Sequence, residues 1–194
     1  MRRAERVVTD ETRIAAVIEA CKVCRIGLAD AGGVYIVPMN FGTEVEDGKR
    51  IFWFHSAGEG RKYRLLRLAA ARGETVGFEL DGGYRMIPGE AACSYTAAYR
   101  SVIGTGHVHF AADRDEKRHG LALLMRHTAG EGDYAFPDAA LDRVTVFAIE
   151  ASSLSCKENH RKRIIISICH TTEEIYSTRA TGSVSTGTFL LCLG

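Results

Sequence analysis

A chain of 194 residues, 46% hydrophobic and 25% charged, is long enough for one domain with a packed core and has an ordinary globular composition. Its formal net charge of +1 gives no global field to draw in nucleic acid or a membrane surface, so only local basic patches can matter. No apolar run approaches the roughly 20 residues of a membrane helix. The opening Met1-Arg2-Arg3-Ala4-Glu5-Arg6 leads into an acidic amphipathic stretch and not a signal core. These features read as a cytoplasmic protein whose cysteines (Cys21, Cys24, Cys93, Cys156, Cys169, Cys192) stay mostly reduced.

Thr9-Asp10-Glu11 predicts a helix start, with Ile14, Val17, Ile18 and Cys21 at helical spacing behind it. Val23 to Leu28 reads as a strand, Asp30-Ala31-Gly32-Gly33 as a turn, and Val34 onward as a second strand running through Pro38 to Phe41. Glu46-Asp47-Gly48-Lys49 is a turn before a third strand, Ile51-Phe52-Trp53-Phe54-His55. After Gly58 and Gly60 comes a helix with Leu65, Leu66, Leu68 and Ala69 available for burial and Gly73 as its stop. Thr75 to Leu80 is a fourth strand, followed by a loop over 81–92 and a fifth strand, Ser101 to Phe110. Asp113-Arg114-Asp115-Glu116 opens a further helix, Gly130 ends it, and Val144 to Ile149 is a sixth strand.

Short turns after the first two strands exclude parallel crossovers there and indicate a mainly antiparallel sheet. A dinucleotide fold is excluded for the same reason, and Gly58-Glu59-Gly60 holds only half of its glycine fingerprint. Past about Ser152 the pattern changes to a charged run, Lys157 to Arg163, and a Ser/Thr/Gly-rich stretch, 181–188. The division is a domain over 1–152 and an extension over 153–194, its tail partly disordered or adding one strand at Ile164 to Ile168.

The chemistry concentrates in residues 51–69. An apolar strand ends at His55-Ser56, a small-residue turn follows, and a helix opens with Arg61-Lys62. Glycines let backbone approach a ligand, the free N–H groups of a helix start favour an anion, and the Arg61 fork and Lys62 charge suit phosphate oxygens. The alternative is a solvated basic helix face. The two cations stand at the end of the helix dipole that disfavours them, which points toward a bound anion.

Several runs together resemble a known family. Val34-Tyr35-Ile36-Val37-Pro38-Met39-Asn40-Phe41-Gly42, Phe54-His55-Ser56-Ala57 with Gly60-Arg61-Lys62, Ala92-Cys93-Ser94-Tyr95 and Tyr99-Arg100-Ser101-Val102-Ile103-Gly104 resemble the pyridoxamine 5'-phosphate oxidase-related flavoproteins, most closely the 5-nitroimidazole resistance (Nim) branch. Met1-Arg2-Arg3, Cys24 to Leu28, Leu124-Met125-Arg126-His127 and Val144 to Glu150 fit that branch too, so the resemblance spans about residues 1 to 162.

The resemblance implies a six-stranded antiparallel FMN-binding split barrel of Greek-key type that forms a homodimer with FMN at the interface. It places the phosphate pair on Arg61 and Lys62, strand-end contacts on Phe54, His55 and Ser56, contacts beside the flavin ring on Pro38, Met39, Asn40 and Phe41, and contacts from the partner subunit on Tyr99, Arg100 and Ser101. His55 would be the catalytic residue, giving a proton to a nitro group as it accepts electrons. Its other reading is a strand-end histidine that hydrogen-bonds phosphate. The implied function is an FMN-dependent oxidoreductase of the nitroreductase type with a small-molecule electron acceptor. The alternatives are a flavin-storage or sensing module, an oxidase with another substrate, and a relative using deazaflavin or haem. Among the remaining residues, Cys21 and Cys24 read as buried thiols, Cys93 as packing, His107 and His109 as alternating on one strand face, and His119 and His127 as surface residues of a helix. No metal site, nucleic-acid site or membrane contact is expected.

Overall fold

The computed structural model describes residues 3–160. A short strand β1 (Val7–Val8) precedes α1 (Glu11–Ala20), whose N-cap Asp10 accepts a hydrogen bond from the Arg13 N–H at 2.8 Å, as the sequence predicts. β2 (Cys24–Asp30) turns through Ala31-Gly32 into β3 (Gly33–Met39). β4 (Gly42–Glu46) and β5 (Lys49–Ser56) are joined by Asp47-Gly48, both left-handed at φ 49° and 77°, a type I′ hairpin turn that an Asp-Gly pair tolerates. Then follow α2 (Gly60–Arg72), β6 (Thr75–Ile87), β7 (Thr96–Phe110), α3 (Arg114–Ala129), α4 (Asp138–Leu141) and β8 (Thr145–Asn159).

All pairings are antiparallel, in the order β3-β2-β6-β7-β8-β5-β4, with β1 added to β8. The fold is mainly β, of the split-barrel class, with eight strands among the described residues where six were expected. β4 is a separate strand, not part of the run through Pro38 to Phe41. β6 and β7 are longer than expected. Gly82-Gly83, which reads as a break, is absorbed in a bulge between Gly82 and Arg85, so pairing resumes to Ile87 opposite Thr96. β8 runs on past Ile149 to Asn159 because β7 pairs with it throughout, carrying the strand through the boundary drawn at residue 152. The expected strand at Ile164 to Ile168 and the Ser/Thr/Gly-rich stretch lie outside the described residues.

The main core gathers Phe41, Phe52, Phe54, Phe78 and Phe147 with Ile18, Ile26, Leu66 and Leu80 inside the sheet. A second cluster, Ile51, Trp53, Val146 and Ala148, lies under α3. β5 is therefore buried on both faces, because its period-2 alternation sends Phe52 and Phe54 one way and Ile51 and Trp53 the other. α3 approaches closely enough that a Cβ at Gly42 would stand 2.3 Å from the Leu124 backbone nitrogen, and one at Gly120 would stand 2.4 Å from the Trp53 ring. Glu44 holds Trp53 and His119 beneath that helix, at 2.7 and 2.8 Å.

His127 is not a surface residue. Its side chain is 2% exposed, with Nε2 2.7 Å from the Cys21 carbonyl and Nδ1 3.1 Å from Glu19. The α3 C-terminus docks on α1 there, a contact that helix periodicity does not encode.

Glu158 in β8 fastens α1 and β7 together: its side chain is 6% exposed and takes Arg13 at 2.8 Å, Arg100 at 3.0 Å, and His160. Burial alone would raise its pKa, but the hydrogen bonds from His160 and Arg13 hold it below the ordinary 4.5.

Two predictions follow from this packing. Gly42→Ala should cost about 1–3 kcal/mol in urea unfolding, since backbone cannot retreat from the new methyl. A folded-state pKa held below the unfolded one gives stability that is present above the ordinary carboxylate value and lost as pH falls through the folded value. Glu158→Gln should therefore lower Tm at pH 7 by roughly 4–8 °C, for about 2 kcal/mol of lost charged hydrogen bonding, and flatten the acid limb of Tm against pH.

Candidate functional site

The strand-to-helix junction after β5 is built from small residues. Gly60 sits at φ 93°, a backbone conformation that a side chain would strain, and it aims α2 back across the sheet. Glu59 is the N-cap but gives no side-chain hydrogen bond, and the first turn holds no acid. The N–H groups opening α2 thus lack the side-chain acceptor that Asp10 supplies to α1 and Asp113 to α3.

Arg61 and Lys62 point to different surroundings. The Arg61 guanidinium forks onto Asp30 at 3.0 and 2.9 Å and lies 4.7 Å from the Tyr35 ring centroid. Asp30 also accepts the Gly32 N–H at 2.7 Å. The hydrogen bonds from Arg61 and Gly32 hold its carboxyl below the ordinary carboxylate value. Lys62 is partly buried, and burial pushes its pKa below the ordinary 10.5 with no opposing hydrogen bond or charge. Among the described residues it has no carboxylate partner. An ammonium so placed fits an anion from outside the chain.

The other residues singled out from sequence divide by face. Phe54 is buried and stacked on Phe147 at 5.1 Å, so it offers only its backbone to a ligand. His55, paired with Val146, is the first exposed side chain of β5 beyond Trp53. Ser56 is buried and its hydroxyl donates to the Ala57 carbonyl at 2.9 Å. In the run before β4, the Met39 and Phe41 side chains are in the core, while Pro38 and Asn40 face outward, Asn40 donating to the Lys22 carbonyl at 3.3 Å.

Tyr99, Arg100 and Ser101 lie elsewhere. Tyr99 pairs with Asn159 and His55 with Val146, so 13 residues of β8 separate the two rows, roughly 40 Å along an extended strand. Arg100 holds Glu158 there, and Tyr99 accepts from Arg6 at 3.3 Å.

Cys21, Cys24 and Cys156 are buried free thiols; burial is the main cause that pushes Cys24 up to about 12 and Cys156 up to about 11. Cys93 is exposed on the single chain, so it does not pack in the core. His107 and His109 are both exposed on β7, and His109 bonds Glu116 at 2.6 Å. Asp30 and Tyr35, the partners of Arg61, were not singled out from sequence, because nothing local signals that a hairpin turn returns to the start of a helix 30 residues later.

The family model described as Pyridoxamine 5'-phosphate oxidase matches residues 10–158. The chain belongs to the pyridoxamine 5'-phosphate oxidase family. Among solved structures, a Bacteroides thetaiotaomicron protein assigned to 5-nitroimidazole antibiotic resistance is 31% identical, with 78% of this chain and 85% of that chain covered and a TM-score of 0.65. The flavocytochrome Anf3 of Azotobacter vinelandii (16% identity, 82% and 72% covered, TM-score 0.66) and a FAD and haem binding protein of Mycobacterium smegmatis (18%, 79% and 73%, 0.67) share the fold. No curated protein matches. Among the described residues, no helix is long and apolar enough to cross a membrane.

If Lys62 is an uncompensated cation, neutralising it relieves a desolvation cost. Lys62→Met should raise the Tm of the ligand-free protein by a few degrees, for roughly 1 kcal/mol. A fall in Tm would show that the ammonium has a structural partner.

Proposed function

We propose that this protein is an FMN-binding homodimer that reduces nitroaromatic compounds of the 5-nitroimidazole type. The observation that carries the reading is the Lys62 ammonium, partly buried and without a counter-ion, beside an α2 start that no side chain caps. A phosphate dianion would satisfy both. The 31% identity to a protein assigned to 5-nitroimidazole resistance supports the acceptor class.

In this reading Lys62 and the first-turn N–H groups of α2 hold the phosphate, with Arg61 turning part of its fork from Asp30. Pro38 and Asn40 flank the ring system by their side chains, and Met39, Phe41 and Phe54 by their backbone; Ser56 lines the strand end. Bound FMN supplies the electron transfer. His55, exposed where β5 leaves the core, gives a proton to a nitro oxygen of the acceptor and helps place that acceptor.

A second copy completes the site. Tyr99, Arg100 and Ser101 lie on β7 opposite the end of β8 remote from the β5 junction, and the outer sheet face exposes Val34, Ile36 and Ile103 at 75%, 62% and 61% around Gly27 and Gly77. Covering that apolar face with the same face of another copy is the usual solution for a symmetric pair. The free thiols accord with a cytoplasmic, reducing setting.

The purified protein should be yellow, bleach with a reductant and recover its absorbance when a 5-nitroimidazole is added. His55→Ala should keep FMN affinity within a few-fold and slow that recovery by about 10²–10⁴-fold; unchanged recovery would make the protein a carrier or sensor. FMN affinity should fall as pH rises through the lowered Lys62 value, and Lys62→Arg should move that fall to higher pH. Lys62→Ala and Arg100→Ala chains, each inactive, should regain about a quarter of the parental activity after subunit exchange, because random pairing restores one intact site in each mixed dimer.

A further inference from the structure

Beside the flavin-phosphate candidate, the outer face of α2 and the β2–β3 hairpin enclose an open cleft of about 880 Å³, within the range of small-molecule sites. We propose that this cleft binds a nucleoside diphosphate group, the adenosine diphosphate half of a nicotinamide dinucleotide.

Arg61, Arg64 and Arg67 recur at three-residue spacing along one side of α2 and line the cleft, and α2 contains no acid to neutralise them. Asp30 is the one carboxylate in the lining, and Arg61 and the Gly32 N–H already engage it. Among the described residues, Arg64 makes no hydrogen bond or ion pair. Arg67 lies with its guanidinium 4.8 Å from the Phe110 ring centroid, a stacking contact that leaves N–H edges free. Two guanidinium forks without carboxylates match the two phosphates of a diphosphate.

The rest of the lining is apolar. Leu65 and Leu68 form the floor, and Leu68 is 40% exposed. A second cleft of about 560 Å³ continues past Leu68 to Val34. A free inorganic polyphosphate has no use for such a floor; a nucleoside carrying a diphosphate uses both parts. The cleft shares Arg61 with the proposed FMN phosphate site, and Lys62 is not in its lining.

The test is calorimetric titration of the parent, Arg64→Ala and Lys62→Ala proteins with ADP, FMN, FAD and NADPH. Arg64 is exposed and unpartnered, so its loss leaves the fold intact. ADP should bind the parent, weaken about tenfold in Arg64→Ala and hold within twofold in Lys62→Ala. FMN should show the reverse. If Arg64→Ala weakens FAD but leaves ADP and NADPH unchanged, the arginines meet a single adenylate phosphate and the proposal fails. If it weakens NADPH measured on the FMN-loaded protein, the diphosphate belongs to a nicotinamide donor. No ADP binding, equal ADP affinity in parent and Arg64→Ala, or ADP loss that follows Lys62 alone would overturn the proposal. Failure of FMN to bind while ADP binds through Arg64 would overturn the flavin reading and leave this one standing.

Discussion

A partly buried ammonium without a counter-ion is unfavourable in an isolated fold, and this protein keeps one at Lys62. Its surroundings are arranged around that cost. Gly60 takes a left-handed turn that starts α2 directly after β5, Glu59 leaves the first turn uncapped, and Asp30 occupies Arg61 and not Lys62. Lys62 thus stands in the first turn of a helix that no side chain caps. Elsewhere Asp10 and Asp113 cap α1 and α3. The contrast separates two capped helix starts from one that no side chain caps.

The sheet decides what can meet at that point. β5 is buried on both faces from Ile51 to Phe54, and His55 is the next side chain to reach solvent. The long β6, β7 and β8 carry Tyr99, Arg100 and Ser101 far from α2, and Glu158 fixes that end by holding Arg13 and Arg100. The β5 junction and the Tyr99-Arg100-Ser101 row thus pair with opposite ends of β8.

Much of this was legible in the sequence, for physical reasons. The caps at Asp10 and Asp113, the Asp47-Gly48 turn and the Gly73 stop act over a few residues, and the structure has each of them. The lengths of β6 and β8 were not legible, because Gly82-Gly83 and Ser152-Ser153 weaken the local pattern and pairing with β7 overrides it. At the site, the run from Phe54 to Lys62 was visible as a unit. The split between Arg61, engaged by Asp30, and Lys62, left without a partner, was not, since it depends on a hairpin that returns across the sheet. Nor does helix periodicity show that His127 is buried against α1.

The central claim is that α2 and Lys62 grip a phosphate. Riboflavin carries the same ring system as FMN and lacks that phosphate, so titrating both into the ligand-free protein isolates the grip. FMN should bind about 100-fold more tightly than riboflavin, the equivalent of one or two charge-assisted hydrogen bonds. Equal affinity for the two would contradict the claim.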